Sequence, residues 1–132
     1  MDRNLYAALA QRASDHVDAG EHRNALDVLQ VLVDSDLPDF DKSMMWLNIA
    51  TVLDRMGRRD EALAAHASAI ECESRTDAYF ATQQHAVYLS QLGRYDESIA
   101  VYESLVVRPG VTPADAQIFR TNLRTLDKLA GR

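Results

Sequence analysis

Three glycines divide this chain into copies of one unit. Gly20 is followed by Glu21-His22-Arg23-Asn24-Ala25-Leu26, Gly57 by Arg58-Arg59-Asp60-Glu61-Ala62-Leu63, and Gly93 by Arg94-Tyr95-Asp96-Glu97-Ser98-Ile99. These segments align without gaps at periods of 37 and 36 residues. A fixed period of this length marks a repeat architecture, in which each supersecondary unit buries its apolar face only against neighbouring copies. The middle copy shows the pattern most clearly. Trp46, Ile49, Ala50 and Leu53 recur at helical spacing before Gly57, and a second apolar stripe through His66, Ala69 and Ile70 comes after it. Each glycine therefore stands where a first helix stops and the chain reverses, a position that favours left-handed φ. Ala25, Ala62 and Ser98 stand at the same distance beyond their glycines and leave room for two helices to cross closely.

The spacing predicts seven helices. The first covers Asn4 to Ala19, with Leu5, Leu9, Ala13 and Val17 on one face, and the second covers Arg23 to Val33. The connection from Asp34 to Asp41 contains Pro38, which ends the second helix, and Asp39 or Asp41 is expected to cap a third. That third helix is expected to bury Trp46 between its neighbours. The fourth runs from Asp60 to Glu73. Thr76 or Asp77 is expected to cap the fifth, with Tyr79, Ala86, Leu89 and Leu92, and the sixth spans Asp96 to Val107. Pro109-Gly110 ends it. Thr112-Pro113-Ala114-Asp115 then combines an N-cap threonine, a proline at the first helical position and an acid at the third. The seventh helix carries Ile118, Phe119, Leu123, Leu126 and Leu129 and has no partner after it. Three pairs and a leftover helix form a repeat stack with a terminal cap: one domain over residues 1–132, with repeats at about 5–37, 42–75 and 77–109 and a capping helix over 113–130.

Composition narrows the function classes. A hydrophobic fraction of 47% and a charged fraction of 26% belong to a chain that folds. The net charge of −6 works against phosphate backbones and anionic membrane surfaces, so neither nucleic acid nor membrane is an expected partner. No apolar run approaches the ~20 residues of a membrane span, and the amino-terminal residues do not read as a signal peptide. The single cysteine, Cys72, makes no internal disulfide and fits a reducing compartment, so the cytoplasm is the expected location.

The pairs resemble tetratricopeptide repeats. In the middle unit Trp46 stands at the leading aromatic, Ile49-Ala50 at the Leu-Gly pair, and Gly57 and Ala62 at the turn. In the third, Leu92-Gly93-Arg94-Tyr95-Asp96-Glu97-Ser98-Ile99 is close to the family's turn sequence, with Tyr102 at the second-helix aromatic. The first unit is weaker, with Leu9 for the aromatic and Arg12-Ala13 for Leu-Gly. The resemblance covers residues 5–130 and implies an all-α, right-handed superhelical stack, a TPR-like α-solenoid of seven helices. These periods exceed the family's, which lengthens the loops between units.

In such stacks the first helices of each pair line a concave groove. Counting from the core positions places Ala7, Ala10, Gln11, Ser14, Asp18, Met44, Leu47, Asn48, Thr51, Arg55, Phe80, Gln83, Gln84, Val87 and Gln91 along it. This lining is apolar and amide-rich, suited to a peptide or protein segment held by a few apolar anchors and by amides. Leu47 and Phe80 are the expected anchors. Arg120, Arg124 and Lys128 form a cationic stripe on the capping helix, able to meet an acidic tail or simply to keep that helix solvated. Chaperone-binding members of the family grip a carboxylate with Lys, Asn and Arg residues; here only Asn48 stands at such a position, with Ala10, Phe80 and Gln84 where basic residues would be.

Nothing points to catalysis, a metal or a cofactor. Asp34, Asp36, Asp39 and Asp41 crowd one loop but lack the midway glycine and distal glutamate of a calcium loop. His16, His22, His66 and His85 show no paired zinc spacing. The expected function is a non-enzymatic interaction module, and the alternative is a subunit that self-associates through its exposed repeat edges as a homo-oligomer.

Overall fold

A computed structural model describes residues 1–132. The chain is entirely helical: α1 (Arg3–Asp18), α2 (His22–Val33), α3 (Asp39–Arg55), α4 (Arg59–Glu73), α5 (Phe80–Gln91), α6 (Tyr95–Val106) and α7 (Pro113–Leu129). Seven helices and no strand make an all-α helical repeat fold, as the glycine period requires.

The glycine hinges carry out the expected chemistry. Gly57 has φ of 76°; its N–H donates to the Asp54 carbonyl at 2.9 Å and the next N–H, of Arg58, reaches back to Leu53 at 2.9 Å. Gly93 repeats this geometry, with bonds to Ser90 at 3.0 Å and from Arg94 to Leu89 at 2.9 Å. These paired bonds satisfy the last carbonyls of α3 and α5 and require the left-handed residue between them. Just beyond, Arg58 pairs with Glu61 and Arg94 with Glu97, exposed pairs that add little stability but mark the same place in two copies.

Two helix starts differ from expectation. At α3 the N-cap is Pro38, with φ −57° and ψ 154°, and Asp39 and Asp41 lie inside the first turn, where the helix dipole favours their charge. At α5 the helix begins at Phe80 with Tyr79 as N-cap, so neither Thr76 nor Asp77 caps it. The Thr76 hydroxyl instead donates to the Glu73 carbonyl at 2.8 Å and finishes α4. Thr112 does cap α7, accepting from the Asp115 N–H at 3.1 Å.

The chain divides into two compact units, Met1–Thr76 and Asp77–Arg132, which part at the boundary between the second and third repeats. In the first unit α1 packs on α2, α2 on α3 and α3 on α4. Ala25 of α2 and Ala62 of α4 are both 0% exposed within it. Leu29, Leu32, Ala50 and Val52 fill the space around them, and the buried Ser43 hydroxyl donates to the Ala69 carbonyl at 3.0 Å. Trp46 is only half-buried, on the rim of this core rather than enclosed in it.

In the second unit α5 packs on α6 and α6 on α7. Ser98, fully buried at the crossing, donates its hydroxyl to the Ala86 carbonyl at 2.7 Å, so its polarity is satisfied where the other copies have alanine. Phe119 sits at the centre of this core, edge-on to Tyr79 at 6.2 Å and tilted against Tyr102 at 5.8 Å. Ile118 and Leu129, expected on the buried face of α7, are instead about half exposed, because Phe119 and Leu126 occupy the contact with the rest of the core. Leu5 at the start of α1 is exposed as well.

Candidate functional site

Each unit holds a pocket between two first helices, floored by the second helix that follows the earlier of them. In the first unit a cavity of about 150 Å³ is lined by Ala10, Ala13, Ser14 and Val17 of α1, Leu29 of α2, and Met45, Asn48, Thr51 and Val52 of α3. Apolar side chains form its base, and Ser14, Asn48 and Thr51 are exposed at its rim. The Thr51 hydroxyl donates to the Leu47 carbonyl at 3.1 Å, so toward a ligand it can only accept. The Asn48 amide can both donate and accept there.

In the second unit a cavity of about 230 Å³ is lined by Val87 and Ser90 of α5, Tyr102 of α6, and Asn122, Thr125, Leu126 and Leu129 of α7. The Asn122 amide donates to the Tyr102 hydroxyl at 3.2 Å, and burial pushes that phenol's pKa up from its ordinary value. Leu29 and Tyr102 stand two full periods apart in the sequence, so the floor of both pockets is the same position of the repeat.

The first unit also has an outer cavity of about 390 Å³ on the other flank of α3. Leu26 and Gln30 of α2 and Ala64, Ala65 and Ser68 of α4 surround Trp46, Ile49 and Leu53 there. Its width reflects the small residues that α4 presents.

Among the residues expected in the groove, Ser14, Asn48 and Thr51 come together in the first pocket and Val87 lies in the second. Phe80 is 43% exposed and available to a ligand. Leu47 is not, at 9% exposed; it belongs to the core of α3 and corrects its expected role as an anchor. Gln11 donates to Asp15 one turn along its own helix at 2.9 Å. Met44, Gln83 and Gln84 are partly buried, while Arg55 and Gln91 are exposed; none of these lines either of the two pockets just described. Nor do Arg120 and Arg124, since α7 turns Asn122, Thr125 and Leu129 toward the second pocket instead. Sequence reading misses Val17, Leu29, Met45, Ser90, Asn122, Thr125 and Leu129 as lining residues. Val17 and Ser90 carry a signal, standing two full periods apart at one position of the repeat.

The acidic loop is spread among separate partners. Asp34 accepts from Gln30, Asp36 meets the amino terminus, Asp39 pairs with Arg75 at 3.1 Å, and Asp41 lies 4.0 Å from Arg3. No three histidine, cysteine or acidic side chains gather closely enough to hold a metal ion. No helix is long and apolar enough to cross a membrane.

His85, on α5, gives the second unit a pH response. Burial lowers its imidazole pKa below the ordinary 6.5, with Arg94 lowering it further and Glu97 partly opposing both. The unfolded chain therefore binds the proton more tightly than the folded one. Stability is full above pH 6.5 and falls as pH drops from there toward the depressed folded value. Melting curves at descending pH should show a loss of Tm that is smaller in a His85→Gln variant. An equal loss in both proteins would assign the effect to other groups.

No known protein family model matches the chain, and comparison with curated proteins gives no match.

Proposed function

We propose that this protein is a non-enzymatic, tetratricopeptide-type interaction module that holds a peptide or protein segment along its first helices. The observation that carries this reading is the recurrence of the pocket. Both units form a small cavity between consecutive first helices, with the same repeat position as its floor and a polar rim around an apolar base. A cavity of about 150 Å³ matches the space a single apolar side chain occupies; an engineered void of roughly this size takes up benzene. The rim amides and hydroxyls supply the few placed polar groups that orient a bound chain. Peptide recognition of this kind rests on one or two buried anchors with the remaining contacts giving register. The partner is a protein segment rather than nucleic acid, given the net charge of −6. The one cysteine, Cys72, is buried and unpaired, which suits a reducing cytoplasm.

The test is selection from a displayed library of short random peptides. Wild-type protein should enrich sequences with spaced small or branched apolar residues. A Ser14→Arg, Thr51→Arg variant, with both changes at exposed rim positions, should lose at least ~10-fold in affinity for them, about 1.4 kcal/mol. Enrichment that is absent, or that the two arginines leave unchanged, would refute the groove.

A further inference from the structure

The charge of this chain is unevenly placed. Residues 1–41 hold nine acids (Asp2, Asp15, Asp18, Glu21, Asp27, Asp34, Asp36, Asp39 and Asp41) against Arg3, Arg12 and Arg23, so this first segment accounts for the whole net charge of −6. Over 113–132 the balance reverses, with Arg120, Arg124, Lys128 and Arg132 against Asp115 and Asp127. The basic excess narrows further to one face. Arg132 pairs with Asp96 and approaches Asp127, and Asp115 accepts from the Tyr79 hydroxyl, so these charges are met within the unit. Arg120, Arg124 and Lys128 are all exposed and form no ion pair; Arg124 donates only to the Thr121 hydroxyl at 3.3 Å. The exposed face of α2 carries Arg23, Asp27 and Val31, with Asp34 capping its C-terminus, and Val31 is 54% exposed between two carboxylates that form no ion pair.

The two faces match in length and sign. Arg120 to Lys128 spans about 12 Å of helix and Asp27 to Asp34 about 10.5 Å at the rise of an α-helix. Both are stripes on rigid helices, and the apolar methyls of Val31 and Thr121 lie within them. We propose that the cationic face of α7 docks on the acidic outer face of α2 in a second copy of this chain. The contact is heterologous, since it joins two different surfaces, and each added copy presents a free face of either sign. It uses outer faces rather than the pockets, and so stands apart from the peptide-binding reading. Pairing of exposed charges is screened beyond roughly 8–10 Å at physiological salt, so the assembly is salt-sensitive.

Sedimentation of the full chain tests this. At about 20 mM salt the average mass should rise with concentration to at least roughly twice the monomer's 14.8 kDa, and at about 500 mM it should return to the monomer value. Neutralising either face alone, by Asp27→Asn with Asp34→Asn or by Arg120→Gln, Arg124→Gln and Lys128→Gln, should leave monomers at low salt. Mixing the two variants should restore a one-to-one dimer and nothing larger, because one intact face of each sign remains. All these positions are exposed, so circular dichroism and melting should not change. A wild type that stays monomeric at low salt would overturn the proposal. So would association that survives both neutralisations, or a mixture that stays monomeric.

Discussion

Replacing Phe119 by alanine is expected to cost about 3–5 kcal/mol of stability, the range for deleting a fully enclosed aromatic. The ring is 0% exposed and touches both Tyr79 and Tyr102, so its loss opens a cavity that two neighbouring rings cannot fill together. Tyr79 is also anchored by its hydroxyl to Asp115, which limits relaxation toward the void. Since domains of this size retain only about 5–15 kcal/mol in total, the second unit would be marginal without it. Urea denaturation of wild type and variant measures the difference directly. A cost below about 1 kcal/mol would mean that α7 does not rest on the remainder of its unit through this ring.

Ala62→Leu should cost about 1–3 kcal/mol by the opposite mechanism, overpacking. Ala62 is 0% exposed at a helix crossing, and any branched side chain there must push α3 and α4 apart. The control is Ala67→Leu on the same helix. That position is exposed, and surface changes of this kind fall within about 0.5 kcal/mol of neutral. Comparing denaturation midpoints of the two variants isolates the crossing from helix propensity. Equal midpoints would show that the small residues of the repeat are not what sets helix separation.

The parts of this fold that can be read from sequence are those fixed by local chemistry. A glycine that must adopt positive φ, a proline at the first turn behind a threonine cap, and small residues at one offset from each hinge each have a single structural solution. The starts of α3 and α5 are less legible. Pro38 and Tyr79 begin those helices without a side-chain cap, while nearby aspartates and threonines that look like caps serve other partners.

The errors on α3 have one origin. Met45, Leu47, Ile49, Ala50, Val52 and Leu53 are all buried, so α3 is apolar on more than one side, where α2 and α4 both meet it. A helix of that kind has no single stripe from which to count. Trp46, the largest residue, attracts the core assignment and leaves Leu47 to the groove; the fold exchanges their burial. On α1, with one packed side, Ala13 is buried and Ser14 lies where the spacing places it, although Leu5 is exposed and Val17 turns to the pocket. The pocket floors at Leu29 and Tyr102 are not legible, because they belong to second helices and appear only once the hairpin is closed.

The central claim, that the spaces between first helices are the binding surface, is tested most directly by nuclear magnetic resonance. Isotope-labelled protein would be titrated with a peptide recovered from the library selection. Amide shifts are expected to concentrate at Ser14, Asn48 and Thr51 in the first unit and at Val87, Ser90 and Thr125 in the second. Shifts gathered instead around Leu26, Ala64 and Ser68, at the outer cavity beside Trp46, would contradict it.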